Sequence, residues 1–253
     1  MRKIYIIGIG VGNPDYLTIQ AIDALNRVNV FFMPDKGHEK GGLRQLRMEI
    51  CDRFIKNRSY RLVDVKIPER AETFSDYKAN VTEWHARIEG IYTDLLTSEL
   101  PDGQCGAFLV WGDPSLYDST LRILEAIHAK GLAFDYEVIP GITSVQALAA
   151  KHRVSLNRIG EPVLITTGRK LTERLSDEQP NVVVLLDGDQ AFSRIDESEV
   201  EIFWGASLGT VDEVIISGRL KDMMTDIKIA RDQIRRKQGW VMDTYLLRRA
   251  KQS

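Results

Sequence analysis

A short apolar run that breaks into three alternating glycines begins the chain and restricts its fold more than any other feature. Residues 4–7 read Ile-Tyr-Ile-Ile, and glycine stands at positions 8, 10 and 12. Such a run predicts a buried strand of a parallel sheet. Glycine lets the backbone turn sharply and approach another group with no Cβ in between. We therefore expect a nucleotide-like cofactor at the carboxyl end of the first strand.

The glycine spacing argues against the most common cofactors of this kind, NAD and FAD. Their fingerprint is G-x-G-x-x-G with a helix opening inside it, whereas this chain has G-x-G-x-G. Residues 13–15, Asn-Pro-Asp, signal a turn, and the next helix N-cap is Thr18. Asp35, at the end of the second predicted strand, does resemble the ribose-binding acid of a dinucleotide site. A dinucleotide oxidoreductase and a loop without any ligand both stay as alternatives.

Composition and charge are those of a globular protein without a polyanionic partner. The 253 residues are 43% hydrophobic and 28% charged, and the net charge is -2. No global field draws the chain to nucleic acid or membrane, and no apolar run approaches the ~18 residues of a membrane span. The N-terminus lacks the pattern of a signal peptide. Cys51 and Cys105 are far apart, and the four histidines have no metal-ligand spacing, so we expect no metal and a cytoplasmic location.

Strand-like and helical patterns alternate over the first half of the chain. Strands are predicted at residues 3–9, 29–33, 61–67, 106–111 and 136–139, and helices at residues 19–28, 42–56, 77–100 and 119–130. This alternation indicates an open parallel sheet with helices on both faces. Five strands by residue 140 complete one α/β domain, which we place at residues 1–155.

The second half predicts a smaller domain at residues 156–253, after a linker without clear periodicity at residues 153–162. Strands are predicted at residues 163–167, 182–187, 201–205, 213–217 and 240–247, and helices at residues 170–175 and 222–237. The short connection at residues 206–212 predicts an antiparallel pair, so this sheet should be mixed.

Two more loop motifs follow strands of the first domain, at the edge where open α/β sheets bind ligands. Residues 110–117 read Val-Trp-Gly-Asp-Pro-Ser-Leu-Tyr, and residues 139–147 read Ile-Pro-Gly-Ile-Thr-Ser-Val-Gln-Ala. Asp113 offers a carboxylate to hydroxyl groups or a cation, and Thr143 and Ser144 offer hydroxyl groups at a helix N-terminus. Each motif alone can be ordinary turn chemistry. Three such loops on one sheet favour a binding site.

In order and spacing, the three motifs resemble those of the tetrapyrrole methylases. The first motif, with Leu17, Thr18 and Ala21, matches the family's glycine-rich loop. The second matches through Gly-Asp-Pro and Tyr117, and the third through residues 140–147. The sequence departs from the family at Val11, where proline is frequent, and at Asp118, where glycine is frequent. The likeness extends over essentially the whole chain.

This resemblance implies an α/β fold of two domains, with a five-stranded, mostly parallel N-terminal sheet, a mixed C-terminal sheet and the cofactor in the cleft between them. It implies S-adenosylmethionine as the methyl donor and a precorrin as the substrate. It implies no nucleic acid or membrane partner, and it leaves a homodimer open. Carried over by motif, the cofactor-binding residues are Gly8, Gly10, Val11, Gly12, Trp111, Gly112, Asp113, Tyr117, Thr143, Ser144, Leu186 and Asp187.

Smaller signatures, among them residues 35–37 and 60–61, resemble the branch of the family that methylates C-1 of precorrin-5 and releases acetate. Methyl transfer is mostly a matter of positioning, whereas release of acetate requires general acid–base chemistry. The candidate catalytic residues are Asp113, Tyr117 and Asp35, and Asp187 and Asp243 are further carboxylates that we considered. A methylase of the same fold that acts on another precorrin, on RNA or on protein is the alternative.

A precorrin carries many carboxylates, so a near-neutral protein needs local positive charge to bind it. Residues 36–61 supply this charge, with a surplus of basic over acidic side chains. Arg44 and Arg47 lie three residues apart, on one face of a predicted helix, and arginine can hold a carboxylate through two hydrogen bonds. We expect these two arginines to contact the substrate.

Overall fold

The computed structural model describes residues 1–35, 41–68, 77–172, 175–176, 178–195 and 199–250, without the side chains of residues 35, 41 and 77–81. Within these ranges no helix is long and apolar enough to cross a membrane. The chain divides into two compact units. The first comprises residues 1–10 and 14–143, and the second comprises residues 11–13 and 144–253.

The first unit is built on a parallel five-stranded sheet of order β3-β2-β4-β1-β5. Its strands are β1 (Arg2–Gly8), β2 (Val30–Asp35), β3 (Arg61–Lys66), β4 (Cys105–Val110) and β5 (Phe134–Ile139). Its helices are α1 (Ile19–Leu25), α2 (Gly41–Phe54), α3 (Tyr77–Ser98) and α4 (Thr120–Ala129). All five strands and four helices lie where the sequence predicts them.

Period-two alternation along β1 divides the hydrophobic core of this unit between the two faces of the sheet. Tyr5 and Ile7 face one core, which includes residues of α1 and α2. Ile4 and Ile6 face the other core, which includes residues of α3 and α4. Because β1 is buried on both faces, its sequence is continuously apolar. Thr18 caps α1, as predicted, by accepting a hydrogen bond of 3.1 Å from the Ala21 N–H.

The second unit is built on a mixed sheet of order β6-β7-β10-β8-β9. Its strands are β6 (Leu164–Thr167), β7 (Asn181–Leu185), β8 (Val200–Ala206), β9 (Val214–Arg219) and β10 (Asp243–Arg249). Only β6 and β7 are parallel, and β8 and β9 form the predicted antiparallel pair. Helix α6 (Leu220–Gln238) packs on one face, with Trp204 and Tyr245 fully buried beneath it.

Helix α5 (Ser144–His152) packs against β8, β9 and β10 of the second unit. Its Leu148 side chain fills the space beside Gly205, where an added Cβ would lie 2.9 Å from Leu148 Cδ1. Residues 153–162 therefore connect α5 to β6 within the second unit. The division in the structure falls before α5, at residue 144, whereas the sequence predicts a boundary after this helix, at residue 155. The helix predicted at residues 170–175 is a shorter 3-10 turn at Gly168–Lys170, and residues 173 and 174 lie outside the described ranges.

Candidate functional site

The loops that follow β1 and β4 in the first unit are joined through their backbones. Gly10 and Gly112 form an isolated antiparallel bridge, in which the Gly10 N–H donates to the Gly112 carbonyl at 3.2 Å and the Gly112 N–H donates to the Gly10 carbonyl at 2.8 Å. Both glycines have φ of +70°, in the left-handed region that favours glycine. The two predicted motifs are thus one connected backbone structure.

The loop after β5 lies equally close to the other two. A Cβ on Gly141 would lie 2.1 Å from the Gly112 carbonyl oxygen, and a Cβ on Gly8 would lie 2.6 Å from the Gly141 nitrogen. A Cβ on Gly10 would lie 2.9 Å from Tyr16 Cβ. The space that these glycines leave free is therefore filled by the chain itself. Cofactor binding by Gly8, Gly10 and Gly112 stays a prediction. It requires a cofactor to contact these glycines on the sides that the chain itself does not fill.

The third glycine of the first motif packs within the second unit. An added Cβ on Gly12 would lie 2.4 Å from the Leu208 carbonyl oxygen and 2.6 Å from Thr210 Cγ2, both in the loop between β8 and β9. The neighbouring Val11 is 3% exposed. Residues 11–13 are thus held by the later part of the chain, a contact that the local motif does not reveal.

The Asp113 carboxylate connects the loops after β4 and β5. Its Oδ2 accepts a hydrogen bond of 2.8 Å from the Gly141 N–H, and its Oδ1 accepts bonds from the N–H and the hydroxyl of Ser115. Burial by itself would raise the pKa of Asp113, but the bonds from Ser115 and Gly141 outweigh it and lower the pKa. Asp113 is consequently a stable anion, suited to holding loops and attracting a cation rather than to donating a proton.

Tyr117 and Trp111 flank this carboxylate in sequence but differ in environment. Tyr117 is 46% exposed and has a φ of 54°, a backbone conformation that residues with a Cβ rarely adopt. Strained residues of this kind persist where the surrounding structure holds them, often at ligand sites. Trp111 is half-buried and packs against the core that contains α1 and α2.

Thr143 is the last residue of the first unit, and Ser144 begins the main part of the second unit along the chain. Thr143 is buried, and Ser144 is the first residue of α5. The Ser144 hydroxyl accepts a hydrogen bond of 2.8 Å from the Thr244 hydroxyl on β10. Both predicted side chains are thus packed into the fold, and their backbone N–H groups are the parts best suited to a ligand.

Leu186 and Asp187 lie in the loop after β7, where the first side chain is exposed to solvent and the second is buried. Leu186 is 66% exposed with a φ of 54°, whereas Asp187 is 4% exposed. Asp187 Oδ2 accepts hydrogen bonds of 2.6 Å from the Tyr245 hydroxyl and 2.7 Å from the Ala191 N–H. Burial and the Asp187 carboxylate raise the pKa of Tyr245, so its hydroxyl stays a donor. The Asp187 side chain shapes the loop that displays Leu186.

A buried ion pair of the second unit is hydrogen-bonded to the backbone of the same loop. The Arg231 guanidinium of α6 contacts the Asp243 carboxylate of β10, and both side chains are 3% exposed. Asp243 Oδ2 also accepts a hydrogen bond of 2.7 Å from Trp204 Nε1. Arg231 donates to the Asp187 carbonyl at 3.1 Å and to the Gly188 carbonyl at 3.4 Å. Asp243, considered above as an acid–base group, is therefore committed to structure.

Sequence reasoning missed Arg231 and Tyr245, although α6 carried a signal for the first. Arg231 occupies the buried stripe of that helix between Ile227 and Ile234. A charged side chain on an apolar stripe must find a partner in the core, so its position alone indicates a buried network.

The two arginines on α2 have different surroundings. Arg44 is exposed and pairs with Asp64 at 3.2 Å. Arg47 is 9% exposed, and its Nε donates a hydrogen bond of 3.0 Å to the Leu109 carbonyl. The backbone of Asp35 pairs with Lys66 at the end of β2, and its side chain, like Lys36 and Lys40, lies outside the described part of the chain. Among the described residues, no three metal-binding side chains are clustered.

Comparison with known proteins gives one family and close relatives. The family model of the Tetrapyrrole (Corrin/Porphyrin) Methylases matches residues 3–224. Precorrin-6A synthase [deacetylating] from Sinorhizobium sp is 52% identical over 250 residues, which cover 98% of this chain and 96% of that protein. A crystal structure of a protein described as related to cobalamin synthesis, from Corynebacterium diphtheriae, is 40% identical and has a TM-score of 0.85, covering 99% of this chain and 100% of the other.

A more distant structure shares the fold alone. Uroporphyrin-III C-methyltransferase from Thermus thermophilus, complexed with S-adenyl homocysteine, is 17% identical with a TM-score of 0.57 and covers 97% of this chain and 96% of its own.

Proposed function

The chain belongs to the tetrapyrrole methylases, and we propose that it transfers a methyl group from S-adenosylmethionine to C-1 of precorrin-5 and releases acetate, giving precorrin-6A. The observation that carries this proposal is the 52% identity to a deacetylating precorrin-6A synthase, over nearly the full length of both proteins. A cytoplasmic location is part of the same proposal.

The loops described above fit a cofactor of this kind. Two large side chains, Tyr117 and Leu186, are held exposed by backbone conformations that cost free energy. The Asp113 carboxylate is kept ionised beside a backbone framework of three strand ends. An ionised carboxylate favours a nearby cation, and bound S-adenosylmethionine supplies an activated methyl group on a cationic sulfonium.

The protein's contribution to methyl transfer is then orientation. A rigid framework can hold the donor and the acceptor carbon at the distance and angle of reaction, which removes most of the entropic barrier. The hydrogen-bonded loops after β1, β4 and β5 provide such rigidity. We infer that Asp113 positions these loops, while Tyr117 contacts the ligand directly.

Release of acetate requires water to attack the acetyl carbonyl, after which the carbon–carbon bond to the ring breaks and its electron pair passes to the ring. This step needs a group that accepts a proton from water. Asp113 has a lowered pKa and filled hydrogen-bond positions, which makes it a weak base. Tyr117 and Asp35 remain the proposed participants.

One experiment tests the cofactor and the reaction together. We expect purified protein, incubated with precorrin-5 and S-adenosylmethionine labelled in its methyl group, to transfer the label to the macrocycle and release one acetate for each methyl group. Methyl transfer without acetate would instead indicate a methylase for another precorrin.

A thermal-shift series separates cofactor classes, because a ligand at a hundredfold excess over its Kd stabilises the protein by about 2.7 kcal/mol. S-adenosylhomocysteine should give this shift, and NADH and FAD should not.

A further inference from the structure

The hydrogen-bonded pairing of strands β2 and β4 ends before either strand does. They are paired from Val30 with Gly106 only as far as Phe32 with Phe108, although β2 continues to residue 35 and β4 to residue 110. The next helix after β2, α2, packs on one face of the sheet, and α4, after β4, packs on the other. A crevice opens where neighbouring connections leave toward opposite faces, and in α/β sheets such crevices bind ligands.

Arg47 reaches into this crevice. The Val110 carbonyl faces β1, where it accepts a hydrogen bond of 2.9 Å from the Ile9 N–H. The preceding carbonyl, of Leu109, faces β2, beyond the last paired residues, and Arg47 Nε donates to it at 3.0 Å. The Arg47 Nε–H therefore supplies the hydrogen bond that β2 does not, because residue 34 of β2 is a proline and has no N–H to donate.

The two terminal nitrogens of Arg47 have no acceptor among the side chains and backbone that the structure describes. Its neighbours on α2 differ, since Arg44 pairs with Asp64 and Arg53 pairs with Asp15. Asp118 is near enough to act on Arg47 through its charge, but its carboxylate accepts the Thr120 N–H at 2.7 Å and forms no hydrogen bond with Arg47. Burial lowers the pKa of Arg47, but a guanidinium remains charged at neutral pH.

The terminal nitrogens of Arg47, unlike Arg231 Nε, are open to solvent rather than sealed in the core, and they lie at the edge of the sheet where α/β folds bind ligands. We propose that Arg47 binds a carboxylate of a ligand, with its planar pair of terminal N–H groups forming a two-bond contact. The inference rests on the proposed function, in which two ligands carry carboxylates: the amino-acid part of S-adenosylmethionine and the side chains of the precorrin. The structure thereby separates Arg47 from Arg44, which the sequence grouped together.

The test compares Arg47→Met with a matched control, Arg87→Met, which removes an exposed arginine of α3 that pairs with Glu83 at 2.6 Å. Three quantities are measured on the full chain: the free energy of unfolding without ligand, the Kd values for S-adenosylhomocysteine and 5′-methylthioadenosine, and the KM for precorrin-5. Methylthioadenosine lacks the amino-acid carboxylate, so it separates the two sources of the anion. The control variant should resemble the wild type in all of them.

For Arg47→Met we expect a modest loss of unfolding free energy, because the Leu109 carbonyl loses the Nε–H group from which it accepts a hydrogen bond. Ligand binding should also weaken by roughly tenfold to a hundredfold, the range for one lost charge-assisted contact. If the cofactor supplies the carboxylate, only the Kd for S-adenosylhomocysteine rises. If the substrate supplies it, only the KM for precorrin-5 rises. Arg47→Lys, which keeps the charge but not the planar fork, should recover part of the loss.

Two results would overturn the inference. One is wild-type Kd and KM values in Arg47→Met. The other is a large loss of stability with both adenosine ligands weakened equally, which a purely structural arginine would produce. Failure of the proposed function is distinct from both, because the wild-type protein itself would then fail to bind S-adenosylhomocysteine or to convert precorrin-5 with release of acetate.

Discussion

The Asp113 carboxylate accepts a hydrogen bond of 2.8 Å from the Gly141 N–H and thereby ties the loop after β4 to the loop after β5. An Asn side chain keeps the size of Asp but loses the charge and one acceptor. We expect Asp113→Asn to lower the free energy of unfolding by about 1.5–3 kcal/mol, as hydrogen bonds to charged groups usually contribute. S-adenosylhomocysteine should also bind more weakly, as titration calorimetry would measure.

The control for this variant is Asp102→Asn. Asp102 is 74% exposed, and its ion pairs to the N-terminus and Arg2 are long, at 3.9 and 3.6 Å. Exposed pairs of this kind contribute little, so the control should match the wild type. Equal effects of the two substitutions would show that Asp113 does not hold the loops.

The pH dependence of stability gives a second test of Asp113. Its folded-state pKa is lowered, so its contribution is fully present above the unfolded value of about 3.9 and is lost as the pH falls through the lower folded value. The gap in unfolding free energy between wild type and Asp113→Asn should therefore stay constant at neutral pH and narrow in acid. Denaturant titrations between neutral pH and the onset of acid unfolding measure this gap, and a gap that widened in acid would contradict the assignment.

Two glycine substitutions should change stability in opposite directions. Gly141→Ala places a Cβ 2.1 Å from the Gly112 carbonyl oxygen, so backbone must move, and we expect destabilisation of about 1–3 kcal/mol or more. Gly90→Ala, inside α3, meets nothing within 4 Å and should stabilise the protein by up to about 1 kcal/mol. Thermal unfolding of both variants measures the contrast. If Gly141→Ala were neutral, the close packing of the three loops would be wrong.

Local pattern was enough to predict the elements, because strands and helices follow from apolar periodicity and turn residues. The fourth strand, for instance, is displaced by only one residue between prediction and structure, from residues 106–111 to Cys105–Val110. The partners of particular residues could not be predicted in the same way. The atoms that fill the space beside Gly8 and Gly12 belong to residues 141 and 208–210, far along the chain.

Arg47 illustrates the same limit at the site. A count of charges along residues 36–61 treats it as equal to Arg44, and helical spacing places both on one face. Its burial and the hydrogen bond from its Nε to the Leu109 carbonyl follow from the packing of α2 on the sheet, which is a tertiary property. The sequence thus predicts which segments end the strands of the sheet, whereas the surroundings of each side chain within a segment depend on the tertiary fold.

The buried pair of Arg231 and Asp243 should behave as a coupled unit. Removing one partner from a buried pair leaves an uncompensated charge, which costs about 3–5 kcal/mol. We therefore expect Arg231→Met and Asp243→Asn each to be strongly destabilising, and the double variant to be less so than the sum. A double-mutant cycle by denaturant unfolding measures the coupling, and simple additivity would refute it.

The same two variants should differ in ligand binding. Arg231 donates to the Asp187 and Gly188 carbonyls, in the loop that displays Leu186, whereas the Asp243 carboxylate accepts its hydrogen bonds from Trp204 and Arg231. If Leu186 contacts the cofactor, Arg231→Met should weaken S-adenosylhomocysteine binding more than Asp243→Asn does, under conditions in which both variants are fully folded. Calorimetry well below the unfolding temperature of both variants keeps the comparison within folded protein. Equal Kd values would mean that the arginine supports the fold without fixing the loop.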